Sequence, residues 1–274
     1  MNLLLTALIV AASAAAGIGV FLLIRRHLAP HEGFFTDGDR AAGVFGVLAT
    51  AFAVLLGFVV FLAYESYDIA RAGARAEATD VIQQFEIANL LPPKDRARLS
   101  GLLVCYGRAV VGVEWPQLQH GVRPDFNPWG LAMFQALQAV QPVTNAEQAA
   151  YAKWLDDRGN REEARLDRVQ AGAGVIPTPL WVLLFVTAAL VLVFAFFFAD
   201  KQEGWVPQAV IAGTVVAMLV ASLLVIRFLN HPYSKGSGSL RPTDMVRVLG
   251  QIDEASATLG LHFPIPCDAS GRPL

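Results

Sequence analysis

Charge is what this sequence has least of. Asp, Glu, Lys and Arg make up 16% of its 274 residues, where a soluble domain carries about 25%. With 55% hydrophobic residues and a mean hydropathy of +0.47, that scarcity puts membrane proteins first. The charges nearly balance, at net −2 and pI about 6.2, so no basic excess points to a nucleic-acid partner. Cysteine is scarce too. Cys105 and Cys267 lie far apart with no CxxC spacing. That argues against a disulfide framework or a zinc site, and two isolated thiols suit a reducing compartment.

Catalytic motifs are also missing. The chain has no HExxH, GxSxG or P-loop. His27 and His31 stand four apart, but Ala29-Pro30 between them argues against a helix, so they read as a solvated loop rather than a metal pair. No cofactor or metal is expected, and an enzyme is the weakest of the functional classes. There is no strand pattern, no repeat, and no low-complexity tract beyond "KGSGS" at 235–239.

What is present is long and apolar. Residues 3–24, 41–64, 175–199 and 206–226 contain no charged side chain, and a spanning helix needs about 20 apolar residues. The first run outlasts a signal-peptide core of about 7–15 residues, and Arg25, Arg26 and His27 follow it rather than precede it. We read it as a retained span. The third begins with Pro177 and Pro179 and spans from Leu180. The expected architecture is an all-α membrane protein of four transmembrane helices, with a helical domain inserted between spans two and three. Its divisions are 1–64, 65–178, 179–229 and 230–274. Lys and Arg near the span ends set the orientation. Arg25, Arg26, Arg40 and Lys201 make four on the short-loop side. Arg71, Arg75, Arg161, Arg165, Arg168, Arg227, Lys235 and Arg241 make eight on the other. The inserted domain and both termini are therefore expected to be cytoplasmic, in an inner membrane.

The second span runs on without a stop. In "GFVVFLAYESYDIARAGARAEATD" (57–80) Tyr67, Ala74 and Ala78 begin an apolar face that continues through Val81, Phe85 and Ala88. Residues 41–91 form one rod of roughly 75 Å, ending at Pro92-Pro93. A helix follows to Trp115-Pro116, and its Gly101, Gly107 and Gly112 imply close backbone packing. A short helix follows at 131–141. "TNAE" (144–147) has capping-box spacing and opens a helix to about Gln170. The charges of 156–168 read as a solvated or salt-bridged face, Glu114 as part of a helix end, and the tail after Phe263 as loosely ordered.

Within the second span Gly43, Gly46, Thr50, Ala53 and Gly57 form a stripe of small residues suited to helix packing in lipid. Opposite it lie Leu48, Phe52, Leu55, Val59 and Leu62. This bulky stripe either faces lipid or, around an oligomer axis, forms an apolar neck with Leu48, Phe52, Leu55 and Val59 at its centre. Glu65 and Asp68 mark the pore mouth, or else an exposed boundary turn. No charge lies inside any span, which disfavours an ion-coupled transporter with a midplane carboxylate.

The segment "LLPPKDRARLSGLLVCYGRAVVGVEWPQLQHG" (90–121), "IPTPLW" (176–181) and the order of spans resemble the bestrophin-like family of bacterial membrane proteins. The tail "FLNHPYSKGSGSLRPTDM" (228–245) resembles that family's segment after the last span, although Asn230-His231-Pro232-Tyr233 departs from its more acidic form. The resemblance implies relation to the bestrophins, pentameric anion channels with a hydrophobic neck on the second span. No acidic calcium cluster of the animal type is visible. The resulting expectation is a homo-oligomeric ion channel in a lipid bilayer, passing small ions, anions by analogy. The alternative is a non-conducting scaffold or sensor whose cytoplasmic helices bind a partner.

Overall fold

The computed structural model describes residues 2–30 and 33–274. His31 lies outside them, so the His27–His31 pair goes no further. Among the described residues nine α-helices follow one another: α1 (Leu3–His27), α2 (Gly38–Ala88), α3 (Pro93–Ala109), α4 (Trp115–Gln119), α5 (Pro128–Gln138), α6 (Asn145–Gln170), α7 (Thr178–Phe197), α8 (Trp205–Asn230) and α9 (Thr243–Leu259). A π-helical segment, Val110–Glu114, joins α3 to α4, and a 3-10 turn, Ala171–Ala173, follows α6. Among the described residues the only β pairing is an isolated bridge between Cys267 and Pro273. α1, α2, α7 and α8 are each long and apolar enough to cross a membrane.

The helices start where local chemistry dictates. Asn2 accepts from the Leu4 N–H at the head of α1, and Asn127 accepts from the Trp129 N–H at the head of α5. The capping box expected at Thr144–Glu147 is complete on α6. Pro93 and Pro128 sit in first turns, where a missing N–H breaks no helical bond. α9 ends at Gly260 in the left-handed conformation, φ 61°.

The chain divides into two compact units. The membrane unit comprises Met1–Glu65, Val175–Asn230 and Gly236–Gly238. Here α1 lies on α8 through small residues: a Cβ added at Gly17 would come 2.6 Å from Val216 Cγ2, and one at Gly213 would come 2.7 Å from Ile18 Cδ1. Arg25 donates to the backbone carbonyls of Asp200 (2.9 Å) and Glu203 (2.7 Å), tying the end of α1 to the α7–α8 connection. Asn230 Oδ1, at the end of α8, accepts from the N–H groups of Val175 (2.8 Å) and Ile176 (3.0 Å) just before α7.

The helical unit comprises Ser66–Gly174, His231–Lys235 and Ser239–Leu274. Its core gathers Val81, Phe85, Leu103, Tyr106, Met133 and Trp154 among others. The lower part of α2 supplies the expected face, with Ala78, Val81, Phe85 and Ala88 buried. Gly101, Gly107 and Gly112 do mark close approach: Pro264 lies against the first, Leu249 against the second and Ser270 against the third.

The expectations for the cysteines and for the tail fail in this unit. Cys105 and Cys267 are not separate thiols but a disulfide, so the inference of a reducing compartment loses its basis. The tail after Phe263 is not loose. Its backbone fills the space above Gly101 and Gly112, and Gly271 (φ 83°) packs against the Ala109 backbone while accepting from Trp129 Nε1 at 2.7 Å. Glycines on α3 and in the π segment make room for a tail whose apolar character alone did not announce docking.

Candidate functional site

α2 carries the site expected from the sequence, and burial sorts its faces. Phe52 and Val59 are buried within the chain, and Leu48 and Leu55 are half-buried beside them. Phe45, one heptad before Phe52, packs its ring 5.6 Å from that of Phe198. The bulky stripe is therefore the face that the protomer covers. The small stripe is the open one. Gly43, Gly46, Thr50, Ala53 and Gly57 are exposed, and nothing lies within 4 Å of a Cβ added at any of its three glycines. Thr50 returns its hydroxyl to the Gly46 carbonyl of its own helix, 2.8 Å away, and so presents no free donor. Beside this stripe a second set of large side chains is exposed: Val47, Val54, Phe58 and Phe61. The sequence reading did not single these out, although their spacing of seven, four and three is one helical row. Glu65 and Asp68 are both exposed on α2.

The helical unit holds an arrangement that the sequence reading missed. Glu77 on α2, Glu114 in the π segment, and Arg161, Arg165 and Arg168 on α6 are all buried. Arg168 bridges the two carboxylates. Its Nε and Nη2 donate to Glu77, the latter at 2.9 Å, and Nη2 also reaches Glu114 Oε2 at 2.6 Å. Arg165 Nε donates to Glu114 Oε1 at 3.2 Å. Tyr106 donates its hydroxyl to Glu77 Oε1 at 2.6 Å, and Tyr233 donates to the Arg168 carbonyl at 2.5 Å. Burial opposes the Arg168 charge, but Glu77 and then Glu114 outweigh it and raise its pKa above the usual arginine value. Burial, then the Glu77 charge, holds the Tyr106 hydroxyl protonated well above the tyrosine range.

Arg161 continues the network, donating to Gln84 Oε1 at 2.6 Å with its guanidinium 4.5 Å from the centre of the Tyr106 ring. Gln84 in turn donates to the Trp154 carbonyl. Next to it Lys153 donates to Asp157, and burial followed by the Asp157 charge pushes Asp80 up to about 6.

Of the two expectations for the charges of α6, solvated or salt-bridged, the salt-bridged one holds for this row, and it is buried. Trp154, Asp157, Arg161, Arg165 and Arg168 recur at three and four residues, and all are buried. That a tryptophan shares the row was the available signal. Glu114 is likewise more than a helix end. The wider π turn, a feature frequent at functional sites, aims it at two arginines. Gly73 brings α2 against α6, since a Cβ there would come 2.7 Å from the Ala164 carbonyl oxygen. Among the described residues no His, Cys, Asp and Glu group could hold a metal ion.

Comparison with known proteins fits this architecture. A bacterial Bestrophin homolog from Klebsiella pneumoniae, crystallised as a point variant, aligns with a TM-score of 0.68 at 12% identity, covering 92% of this chain and 98% of that one. The same homolog solved by Zn-SAD phasing gives a TM-score of 0.68 at 12% identity over 95% and 100% of the two chains. A structure described as a membrane protein, also a point variant, gives 0.67 at 12% identity over 96% and 100%. No curated protein sequence matches the chain. The class is therefore an all-helical membrane protein with the bestrophin fold. The sequence profile of the Bestrophin-like domain matches residues 9–245, and the chain belongs to that family.

Proposed function

We propose that the protein is an oligomeric ion channel of the inner membrane, conducting along α2. The observation that carries this reading is the open face of α2. Small residues in membrane helices gather where helices approach closely, yet Gly43, Gly46 and Gly57 meet nothing in the single chain. A second copy supplies the missing neighbour. Copies arranged as a closed ring, five by analogy with the bestrophins, bring the adjoining row of Val47, Val54, Phe58 and Phe61 around a common axis. An apolar constriction of that kind gates by dewetting and needs no charge within the span. The sequence-based neck of Leu48, Phe52, Leu55 and Val59 is the weaker candidate, because the protomer already covers Phe52 and Val59. Glu65 and Asp68 stand at the mouth. Anion preference rests on family analogy alone.

We further propose that the helical unit and both termini are cytoplasmic, supported by the Lys and Arg count. The Cys105–Cys267 disulfide favours the opposite orientation, because such bonds persist mainly in oxidising compartments. A reporter fused to the C-terminus and active in one compartment only separates the two. For conduction the test is halide and cation flux in liposomes bearing the purified protein. Flux of either is expected. No flux for any ion, across pH and calcium and with insertion verified, leaves the scaffold or sensor reading in its place.

A further inference from the structure

The helical unit leaves a helix face open on each side of α2. α6 meets α2 at Gly73, Glu77 and Gln84: a Cβ at Gly73 would come 2.7 Å from the Ala164 carbonyl oxygen, Glu77 accepts from Arg168, and Gln84 donates to the Trp154 carbonyl. α9 meets α2 at Arg75, which lies 3.8 Å from Asp244, and at Ile82 and Glu86, which border one groove with Gln251 and Glu254. The two sets pair off nine residues apart, Gly73 with Ile82, Arg75 with Gln84 and Glu77 with Glu86. Nine residues are about two and a half turns. α6 and α9 therefore flank α2 on opposite sides, α6 running antiparallel to it and α9 parallel.

The outward rows of these two helices are not the polar faces expected of helices in water. On α6, Ala152, Leu155, Gly159 and Leu166 are exposed along one row. On α9, Val246, Gly250, Asp253 and Ala257 are exposed along another. Nothing lies within 4 Å of a Cβ added at Gly159 or Gly250, so either row can take a close neighbour. The charges beside the rows differ in sign. Glu162 and Glu163 border the α6 row, and Arg247 borders the α9 row.

The rows also match in level. A ring whose axis runs along α2 turns each copy without shifting it along that axis, so one flank meets the opposite flank of the next copy at its own height. By the contacts above, Gly159 stands level with about Thr79 and Gly250 with about Val81, roughly 3 Å apart at the helical rise. The two open glycines thus face one another. Arg247 comes within about one turn of Glu163, and Val246 falls between Gly159 and Leu166.

We propose that α6 of one copy docks antiparallel on α9 of the next. The contact joins two different faces, which is the kind that closes a ring. It rests on the ring reading above and names the surface that holds the helical units together.

The native cysteines are already joined, so introduced ones report alone. Gly159→Cys and Gly250→Cys in one chain, oxidised in liposomes with copper phenanthroline, are expected to give a ladder of covalent oligomers on a non-reducing denaturing gel. Two co-expressed chains carrying one change each are expected to stop at the dimer. Either change alone is expected to leave monomers, because each face meets the other kind. Arg247→Glu is expected to weaken the detergent oligomer to dilution several-fold, and adding Glu163→Arg to restore it. An oligomer by light scattering that gives no ladder, or that cross-links through Gly159→Cys alone, overturns this contact and leaves the ring. A monomer in detergent with no ladder in liposomes overturns both. Should the cysteine pair fail to fold, the charge exchange decides: no effect of Arg247→Glu, or no recovery with Glu163→Arg, overturns the contact.

Discussion

In the membrane unit Phe58, Phe61, Val210 and Ile211 are exposed, and the long-range polar ties sit at helix ends, at Arg25 and Asn230. Its mid-helix hydroxyls, such as those of Thr187 and Ser222, return to carbonyls of their own helix. In the helical unit the order reverses, with Arg161 and Arg168 fully buried and Glu77 and Glu114 beside them. The difference follows from solvent. A span covered by lipid need not bury its apolar side chains inside the protomer, and every polar group along it must be satisfied locally. A unit in water buries its apolar surface, and charges enter that core only when paired and hydrogen-bonded. The membrane unit leaves apolar surface uncovered by its own chain, whereas the helical unit specifies its own packing through ions.

Breaking the ion network gives the largest expected effect. Arg168→Met leaves buried Glu77 with only the Tyr106 hydroxyl and Glu114 with only Arg165, and is expected to cost about 3–5 kcal/mol, read as a lower thermal midpoint in detergent. Replacing Glu77, Glu114, Arg165 and Arg168 with Leu, Leu, Met and Met, together with Tyr106→Phe, is expected to recover most of that loss, because a well-packed apolar set can match a buried ion group. A multiple variant no better than Arg168→Met would contradict the reading of these charges as a specificity device.

Reducing the disulfide, or Cys267→Ser, comes next. The bond closes a loop of 162 residues, and its loss is expected to cost about 2–5 kcal/mol. The tail should then become accessible to protease, while exchange protection of α1 and α8 stays unchanged. In the membrane unit Gly17→Leu drives a side chain into Val216 and is expected to cost about 1–3 kcal/mol, with loss of protection in α1 and α8.

The smallest effect concerns Asp80. Burial and Asp157 raise its pKa to about 6 from an ordinary value near 4. The folded chain holds that proton more tightly than the unfolded one. Stability from this group is therefore full below about pH 4 and lost as pH rises through 6. Asp80→Asn removes that slope, so it should raise the thermal midpoint at pH 8 and change it little at pH 4.

The four spans, the uninterrupted α2, the capping box and the tight glycines of α3 were legible because each rests on local pattern. Helical spacing gave the faces of α2 but not which face the protomer covers, because that depends on where Phe198 and its neighbours lie. The ion network was illegible for a related reason. Arg161, Arg165 and Arg168 read equally as a solvated or a salt-bridged surface until Glu77, about 90 residues away, is brought opposite by the packing of α2 on α6. The disulfide and the docked tail likewise depend on a contact across most of the chain.

Which face of α2 meets the ions is the central claim. Halide flux into liposomes bearing Phe58→Ala, compared with Phe52→Ala at matched insertion, tests it most directly. The account expects Phe58→Ala to change the flux rate at least several-fold, and Phe52→Ala to act mainly through stability. Flux that responds to Phe52→Ala and ignores Phe58→Ala, with both variants folded, would contradict it.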